Sequence, residues 1–346
     1  MADYMDFIYM SFEILIAFTC CLGNALVIWA VKLNHSLREP TFCFIVSLAV
    51  ADFLVGAVAI PSAIFVNSEV ETSFHGCLFI CCIVMILTES SILSLLAIAI
   101  DRYLRIKMPF RYRRIAAQKQ SWLGVAVCWL ISGILGLVPI FGWHNKGSMN
   151  STGNSAIINC TFTSVMCMSY MVYFNFLGCV LIPLLVMALL YMKIFQMLKK
   201  QLNGKSNSSE FSMYYQKERK LTHSLALVLL LFAMCWLPLH TLNCIFFFRP
   251  QTIVSDTVFH VCILLSHLNS AINPIIYPFR IKKIQQAYQE IWTKYFLPQE
   301  KKYFSSSQSA ENNGSSNCNS TVRFDKVAQM KCDKSRKGPY EGDNTL

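Results

Sequence analysis

Along most of this chain apolar residues gather in long blocks instead of alternating with polar ones. Seven blocks fall near 8–31, 42–66, 78–101, 121–142, 168–192, 223–247 and 255–278. Each exceeds the about 20 residues that a helix needs to cross a hydrocarbon core of ~30 Å. Period-two alternation, the mark of a membrane barrel strand, is missing from them. Lipid leaves only helices and closed barrels able to satisfy every backbone polar group. The pattern therefore predicts an all-α membrane protein, a seven-transmembrane helix bundle whose short connections make sequential helices antiparallel neighbours. Beyond the seventh block, Arg280–Trp292 places Ile281, Ile284, Tyr288, Ile291 and Trp292 at helical spacing among basic residues. That predicts a short amphipathic eighth helix on the inner membrane surface. Residues 1–294 form one membrane domain. Residues 295–346, polar and rich in Ser and Asn, read as a disordered cytoplasmic tail.

Composition agrees with this: 55% of the 346 residues are hydrophobic and 14% charged, too little charge for a soluble domain of this length. Charge adds orientation. Of 30 Lys and Arg, all but Lys146 and Arg249 follow spans one, three or five or lie beyond span seven. Those segments are cytoplasmic and the N-terminus is extracellular. The net charge of +11 thus reports orientation and contact with membrane lipid headgroups. Spread over four short segments, it does not suggest nucleic acid. Met1–Asp6 is acidic and the first block is long enough to span, so the first span itself directs insertion.

Most of the 15 cysteines lie inside spans, where they pack as small apolar residues. Cys77, at the outer start of span three, shares the oxidising side with Cys160 in the outer loop, and Cys167 competes for the same partner. Asn150-Ser-Thr and Asn159-Cys-Thr offer glycosylation sites on that loop. Ionisable residues inside the membrane are functional candidates, and they are few: Glu13, Asp52, Glu89, His240, His267 and the Asp101-Arg102 pair. Asp52 is the deepest carboxylate; Ser91, Asn269 and Asn273 could ring it, either as a sodium or proton site or as a hydrogen-bonded structural carboxyl. Arg102 could pair with Asp101 or reach Glu218 at the start of span six, a lock between two helices. Pro183, Pro238 and the proline of Asn273-Pro-Ile-Ile-Tyr277 each remove a backbone donor. In span six, Trp236, Leu239, His240 and Asn243 fall on one helical face, with Asn243 about 10 Å outward of Trp236 at 1.5 Å per residue.

Seven spans, Asp101-Arg102-Tyr103, CWLP, NPIIY and an outer cysteine pair in this order resemble the rhodopsin-like G-protein-coupled receptors across about residues 8–292. The resemblance implies an outer ligand pocket and an inner cleft for a heterotrimeric G protein. Span seven holds His267 where light sensors need a lysine, and span three holds Val84 where amine receptors need an aspartate. LGNALVIWAVKLN, SLLAIAIDRYLRIK, GLVPIFGW, CWLPLHTLN and SHLNSAINPIIY resemble the adenosine receptors, most closely the inhibitory-G-protein subtypes, types three and one.

That likeness implies roles residue by residue. Asn243 would read the adenine edge, and Phe162 and Leu239 would sandwich the purine. Met171, Ile263 and Met85 would form walls. Ser266 and His267 would bind the ribose hydroxyls, Thr88 would lie near the ribose 5′ end, and Glu13 would orient His267. Trp236 would lie beneath the ribose, with Ile92, Pro183 and Phe232 as a packing switch below it. Tyr191 and Tyr277 would meet Arg102 in the active form. His240 would either contact ligand or only pack. Arrestin and receptor kinases would act through the tail, whose Ser305, Ser306, Ser307 and Ser309 are phosphorylation candidates. An allosteric sodium ion at Asp52 is the only cofactor suggested.

Departures are Thr163 after Phe162 where several subtypes have glutamate, Glu89 where Gln or His is usual, and Pro278 where alanine is usual. No palmitoylation cysteine is evident after Trp292. The competing readings are a receptor for another nucleoside-like ligand or an ion-coupled transporter relaying through Asp52, Glu89 and Glu13; the halves show no internal repeat that would favour the transporter. An enzyme would need a nucleophile–base pair or metal constellation, and neither His240 nor His267 has a second histidine at ligand spacing.

Overall fold

The computed structural model describes residues 2–34, 37, 40–68, 70–109, 112, 118–145, 157–203 and 209–295. The tail beyond 295 and Asn150 lie outside them. The helices are α1 (Ala2–Leu33), α2 (Pro40–Asn67), α3 (Phe74–Lys107), α4 (Gln118–Gly136), α5 (Tyr170–Leu181 continuing as Ile182–Asn203), α6 (Ser209–Phe248), α7 (Asp256–Arg280) and α8 (Lys282–Tyr295). Six are long and apolar enough to cross a membrane. The seventh, α4, has only 19 residues and opens Gln-Lys-Gln.

The fourth span is displaced from the expected 121–142. Its helix starts earlier and ends at Gly136, and Val138–Phe141 forms a 3₁₀ turn closed by Gly142 at φ 115°. Pro139 has no N–H to continue an α-ladder, and only glycine takes that positive φ without strain. Prolines shape the other helices differently. In α2 and α5 the chain widens to π-helix at Val55–Ala59 and Tyr170–Leu181, just before Pro61 and Pro183. A proline ring collides with the carbonyl four residues back, and a wider turn relieves that collision. Pro238, Pro274 and Pro278 instead sit inside α6 and α7, which continue past them.

Around the bundle, α1 packs on α2 and α7, α3 on α2, α4 and α5, and α6 on α5 and α7. Polar bonds pin these contacts. Trp129 Nε1 of α4 donates to Ser47 Oγ of α2 at 3.1 Å, and Ser47 lies 3.0 Å from Ser94 Oγ of α3. Asn24 Nδ2 of α1 donates to the Ser270 carbonyl of α7 at 3.0 Å. With no water in the hydrocarbon to compete, such bonds hold one helix's rotation against another.

At the outer end, β1 (Glu71–Ser73) pairs antiparallel with β2 (Ile157–Asn159), and Cys77 and Cys160 form the disulfide. Cys167, the competing candidate, remains a thiol 3.0 Å from Ser169 Oγ. At the inner end, α8 buries Ile284, Ala287 and Ile291, and Ile281 just before it is buried too. Trp292, expected on that face, is 60% exposed. It lies one position past Ile291, at the edge of the stripe, and Ala287 takes an inward place instead.

The α3–α4 contact depends on a missing side chain. A Cβ at Gly136 would come within 2.7 Å of the Ile86 backbone nitrogen and 2.9 Å of its Cα. Backbone cannot swing aside as a side chain can. Gly136→Val should therefore destabilise the bundle by about 1–3 kcal/mol, the usual cost of overpacking, read as a lowered melting temperature of the detergent-solubilised protein. An unchanged melting temperature would contradict the close approach.

Candidate ligand cavity and inner latch

Three local devices place the outer loop over the bundle. The β1–β2 pair, a Cys160 N–H to Val70 carbonyl bond of 3.0 Å and the disulfide hold residues 157–160 against the top of α3. Thr161 then caps the one-turn helix Phe162–Val165, with Thr161 and Ser164 exchanging side-chain-to-backbone bonds as a capping box. Phe162, two residues beyond the disulfide, is thereby fixed at the mouth of a cavity of about 250 Å³.

That cavity gathers most of the ligand residues read from sequence: Met85 and Thr88 of α3, Met171 of α5, Trp236, Leu239, His240 and Asn243 of α6, Ile263, Ser266 and His267 of α7, and Phe162. Glu13 does not line it. Fully buried on α1, Glu13 accepts from His267 Nδ1 at 2.8 and 2.9 Å. A proton held at Nδ1 by a carboxylate leaves Nε2 as the ring's free site. Thr88 Oγ1 donates to the Val84 carbonyl at 3.0 Å, and Ser266 Oγ donates to the Ile263 carbonyl at 2.7 Å. With each hydrogen committed to its own helix, both hydroxyls offer acceptor lone pairs. His240 stacks on Phe176 and on Trp236, with centroids 4.8 and 5.8 Å apart. It is thus packed and cavity-lining at once.

Sequence reasoning missed Tyr9, Asn67, Asn175 and Phe259, which also line the cavity. Tyr9 stacks on His260 at 4.3 Å, a contact between the first and last spans that no spacing rule reports. Glu89, a turn inward of Met85 on α3, is buried and stands outside the lining. Thr163 is part of the lining.

Beneath the cavity, Asp52 accepts from Asn273 Nδ2 at 2.7 Å, Ser270 Oγ at 2.8 Å and Ser91 Oγ at 3.3 Å. Asn269, expected in this ring, is buried but is not a partner; Ser270 takes that place. The two are adjacent on α7, and the register that points Asn273 at Asp52 brings the residue three earlier closer than the one four earlier.

At the inner end Arg102 is fully buried. It bonds Asp101 Oδ2 at 3.0 Å, Glu218 Oε2 at 3.1 Å and the Thr41 hydroxyl. Tyr112 of the inner loop donates its hydroxyl to Asp101. Burial, and then the Asp101 carboxylate, push the Tyr112 phenol above its ordinary range, so it stays a donor. Tyr103 is half-buried under Lys107, whose Nζ lies 5.3 Å from the ring centroid. Tyr191 and Tyr277, both buried, are not partners of Arg102 here, and Tyr277 Oη has no hydrogen-bond partner among the described residues. A further element was not foreseen: Arg105 Nε binds Glu218 Oε1 at 3.1 Å, so both Glu218 oxygens carry an arginine.

A seven-helix bundle with an outer cavity and an inner ion-pair latch defines a membrane receptor. Residues 23–277 match the 7 transmembrane receptor (rhodopsin family), and the chain belongs to that family, whose members are multi-pass receptors and not enzymes. It is 47% identical over 292 residues to Adenosine receptor A3 of Canis lupus familiaris, covering 84% of this chain and 92% of that one. It is 49% identical over 281 residues to Adenosine receptor A3 of Ovis aries and 48% identical over 281 residues to that of Bos taurus, each covering 81% of this chain and 88% of the relative.

The latch makes a measurable claim. Removing one partner of a buried ion pair strands the other charge and is strongly unfavourable. Glu218→Gln removes the carboxylate that Arg102 and Arg105 share and should raise ligand-independent nucleotide exchange several-fold. Arg105→Gln, which removes one of the two arginines on Glu218, should raise it less. Basal exchange unchanged in both would show that Glu218 does not restrain α6.

Proposed function

We propose that this chain is a plasma-membrane receptor for extracellular adenosine, with its N-terminus outside. It passes agonist binding to an inhibitory heterotrimeric G protein and so lowers adenylate cyclase activity. The observation that carries the reading is the convergence of Asn243, Phe162, Ser266 and His267 on one cavity. An amide offers the donor and acceptor that an aminopurine edge needs. An aromatic ring at the mouth offers a stacking face. Acceptor hydroxyls with an oriented imidazole on α7 suit ribose hydroxyls. The relatives' names point to the same ligand.

In this reading Leu239 faces the purine opposite Phe162, Met85, Met171 and Ile263 shape the walls, Thr88 meets the ribose 5′ end and Trp236 senses the sugar from below. Agonist must favour an arrangement in which α6 leaves Arg102, since a ligand shifts an equilibrium only by binding one state better. Asn150 and the exposed Asn159 carry glycans, and the tail serines are where receptor kinases and then arrestin act. Asn243→Ala should abolish adenosine-stimulated nucleotide exchange on the G protein while surface expression holds. Unchanged adenosine potency would sink the assignment.

Asp52 is the site for an allosteric sodium ion. The Asp52 carboxylate and the Ser91 and Ser270 hydroxyls offer the hard oxygens that such a cation takes, and they come from α2, α3 and α7. A cation joining those helices would stabilise the latched arrangement and so weaken agonist binding. NaCl should lower agonist affinity several-fold relative to KCl, and Asp52→Asn should remove the difference. A sodium effect that persists in that variant would place the ion elsewhere.

A further inference from the structure

The α5–α6 wall of the cavity carries polar groups that the adenosine reading leaves without work. Asn175, on the π-helical part of α5, is 3% exposed and lines the cavity. Among the described residues its Nδ2 meets only thioethers, Met85 Sδ at 3.4 Å and Met171 Sδ at 3.8 Å, which are weak acceptors. Its Oδ1 has no hydrogen-bond partner among the described residues. His240, 2% exposed on α6, lines the same cavity, and neither of its ring nitrogens is bonded among those residues.

The two residues are physically linked. Phe176, the chain neighbour of Asn175, lies nearly parallel to the His240 ring, at 13° between planes. That stack seats the imidazole beside α5. Buried polar groups are nearly always hydrogen-bonded, and leaving one unmade is costly. A carbonyl, a ring acceptor and a ring donor clustered on one cavity wall therefore mark a place where something else completes the bonds.

We infer that Asn175 and His240 form a second hydrogen-bonding subsite, which reads a donor-bearing substituent, an amino group, on the purine ring of the ligand. This rests on the nucleoside reading above. His240 lies one turn inward of Asn243 on the same helix, about 5 Å along its axis. A ring held at one edge by Asn243 therefore presents a substituent within reach of both. The Asn175 carbonyl accepts the amino hydrogen, and the imidazole supplies whichever of donor or acceptor the ring edge requires. Met85 and Met171 enclose the position and exclude competing water. A methyl group of similar size would fit the space but leave the carbonyl unpaired, which makes the wall selective for an amine over a methyl.

The test is competition binding on membranes with two pairs of analogues, 2-aminoadenosine against 2-methyladenosine and 8-aminoadenosine against 8-methyladenosine. In the wild-type receptor the amino compound should bind about tenfold tighter than the methyl compound at one of the two ring positions. Asn175→Leu should erase that preference while the methyl analogue keeps its affinity. His240→Phe, which retains a ring to stack on Phe176 and Trp236, should weaken the preference as well and covers the case in which Asn175→Leu fails to reach the surface. Purine binding with no amino preference at either position overturns the subsite alone, as does a preference that survives in every variant reaching the surface. No purine binding at all overturns the nucleoside reading and the subsite with it.

Discussion

A carboxylate sealed inside a lipid-embedded bundle has no solvent to fall back on, and Asp52 is fully buried. Its oxygens draw donors from α3 through Ser91 and from α7 through Ser270 and Asn273. Asn24 of α1 is bonded to the Ser270 carbonyl, so the same knot sets α1 as well. Four helices thus share one rotational solution, because any other leaves a charge or an amide stranded in hydrocarbon. Glu13 with His267 repeats the logic further outward, and Asp101 with Arg102 and Glu218 repeats it at the inner face.

These polar knots turn a bundle into a transmitting device through α6. That helix carries Asn243, His240 and Trp236 on the cavity, Phe232 a turn below with its ring 6.1 Å from Trp236, and Glu218 in the latch. In the proposed function one continuous element therefore feels ligand at one end and restrains the inner face at the other. Couplings between such sites are typically worth about 1–3 kcal/mol. In the function proposed above, the Glu218 carboxylate shared by two arginines opposes that transmission until the outer end shifts the balance. Pro238, inside α6 between the cavity-lining Trp236 and Asn243, removes one ladder bond along that element.

Much of this is legible in the sequence. Hydropathy blocks located the spans because lipid demands unbroken helices, and basic residues argued their orientation. Trp236, Leu239, His240 and Asn243 were readable as one face because helical period alone dictates it. Less was legible wherever a residue's neighbour comes from another helix. Asn175 looked like any polar residue in an apolar run, and nothing nearby in the chain announces that Met85 is beside it. Ser270 and Asn269 are adjacent, and only the packed rotation of α7 chooses between them. Arg105 was one more inner-loop cation until α6 brought Glu218 within 3.1 Å of it. The short α4 broke the block reading because a 3₁₀ turn at Pro139 is as apolar as the helix it ends.

Sequence by itself therefore determined the helical membrane class, the approximate spans and the kinship, since these depend on composition, period and order along one chain. Tertiary structure alone decided which polar atoms complete each other, Glu13 on His267, Ser270 on Asp52 and both arginines on Glu218, and which, like Asn175 Oδ1 and the His240 ring nitrogens, find no partner among the described residues. The physical reason is that hydropathy acts over a whole segment and tolerates error, whereas a hydrogen bond is made or lost within a few tenths of an ångström. That precision exists only after the helices have packed.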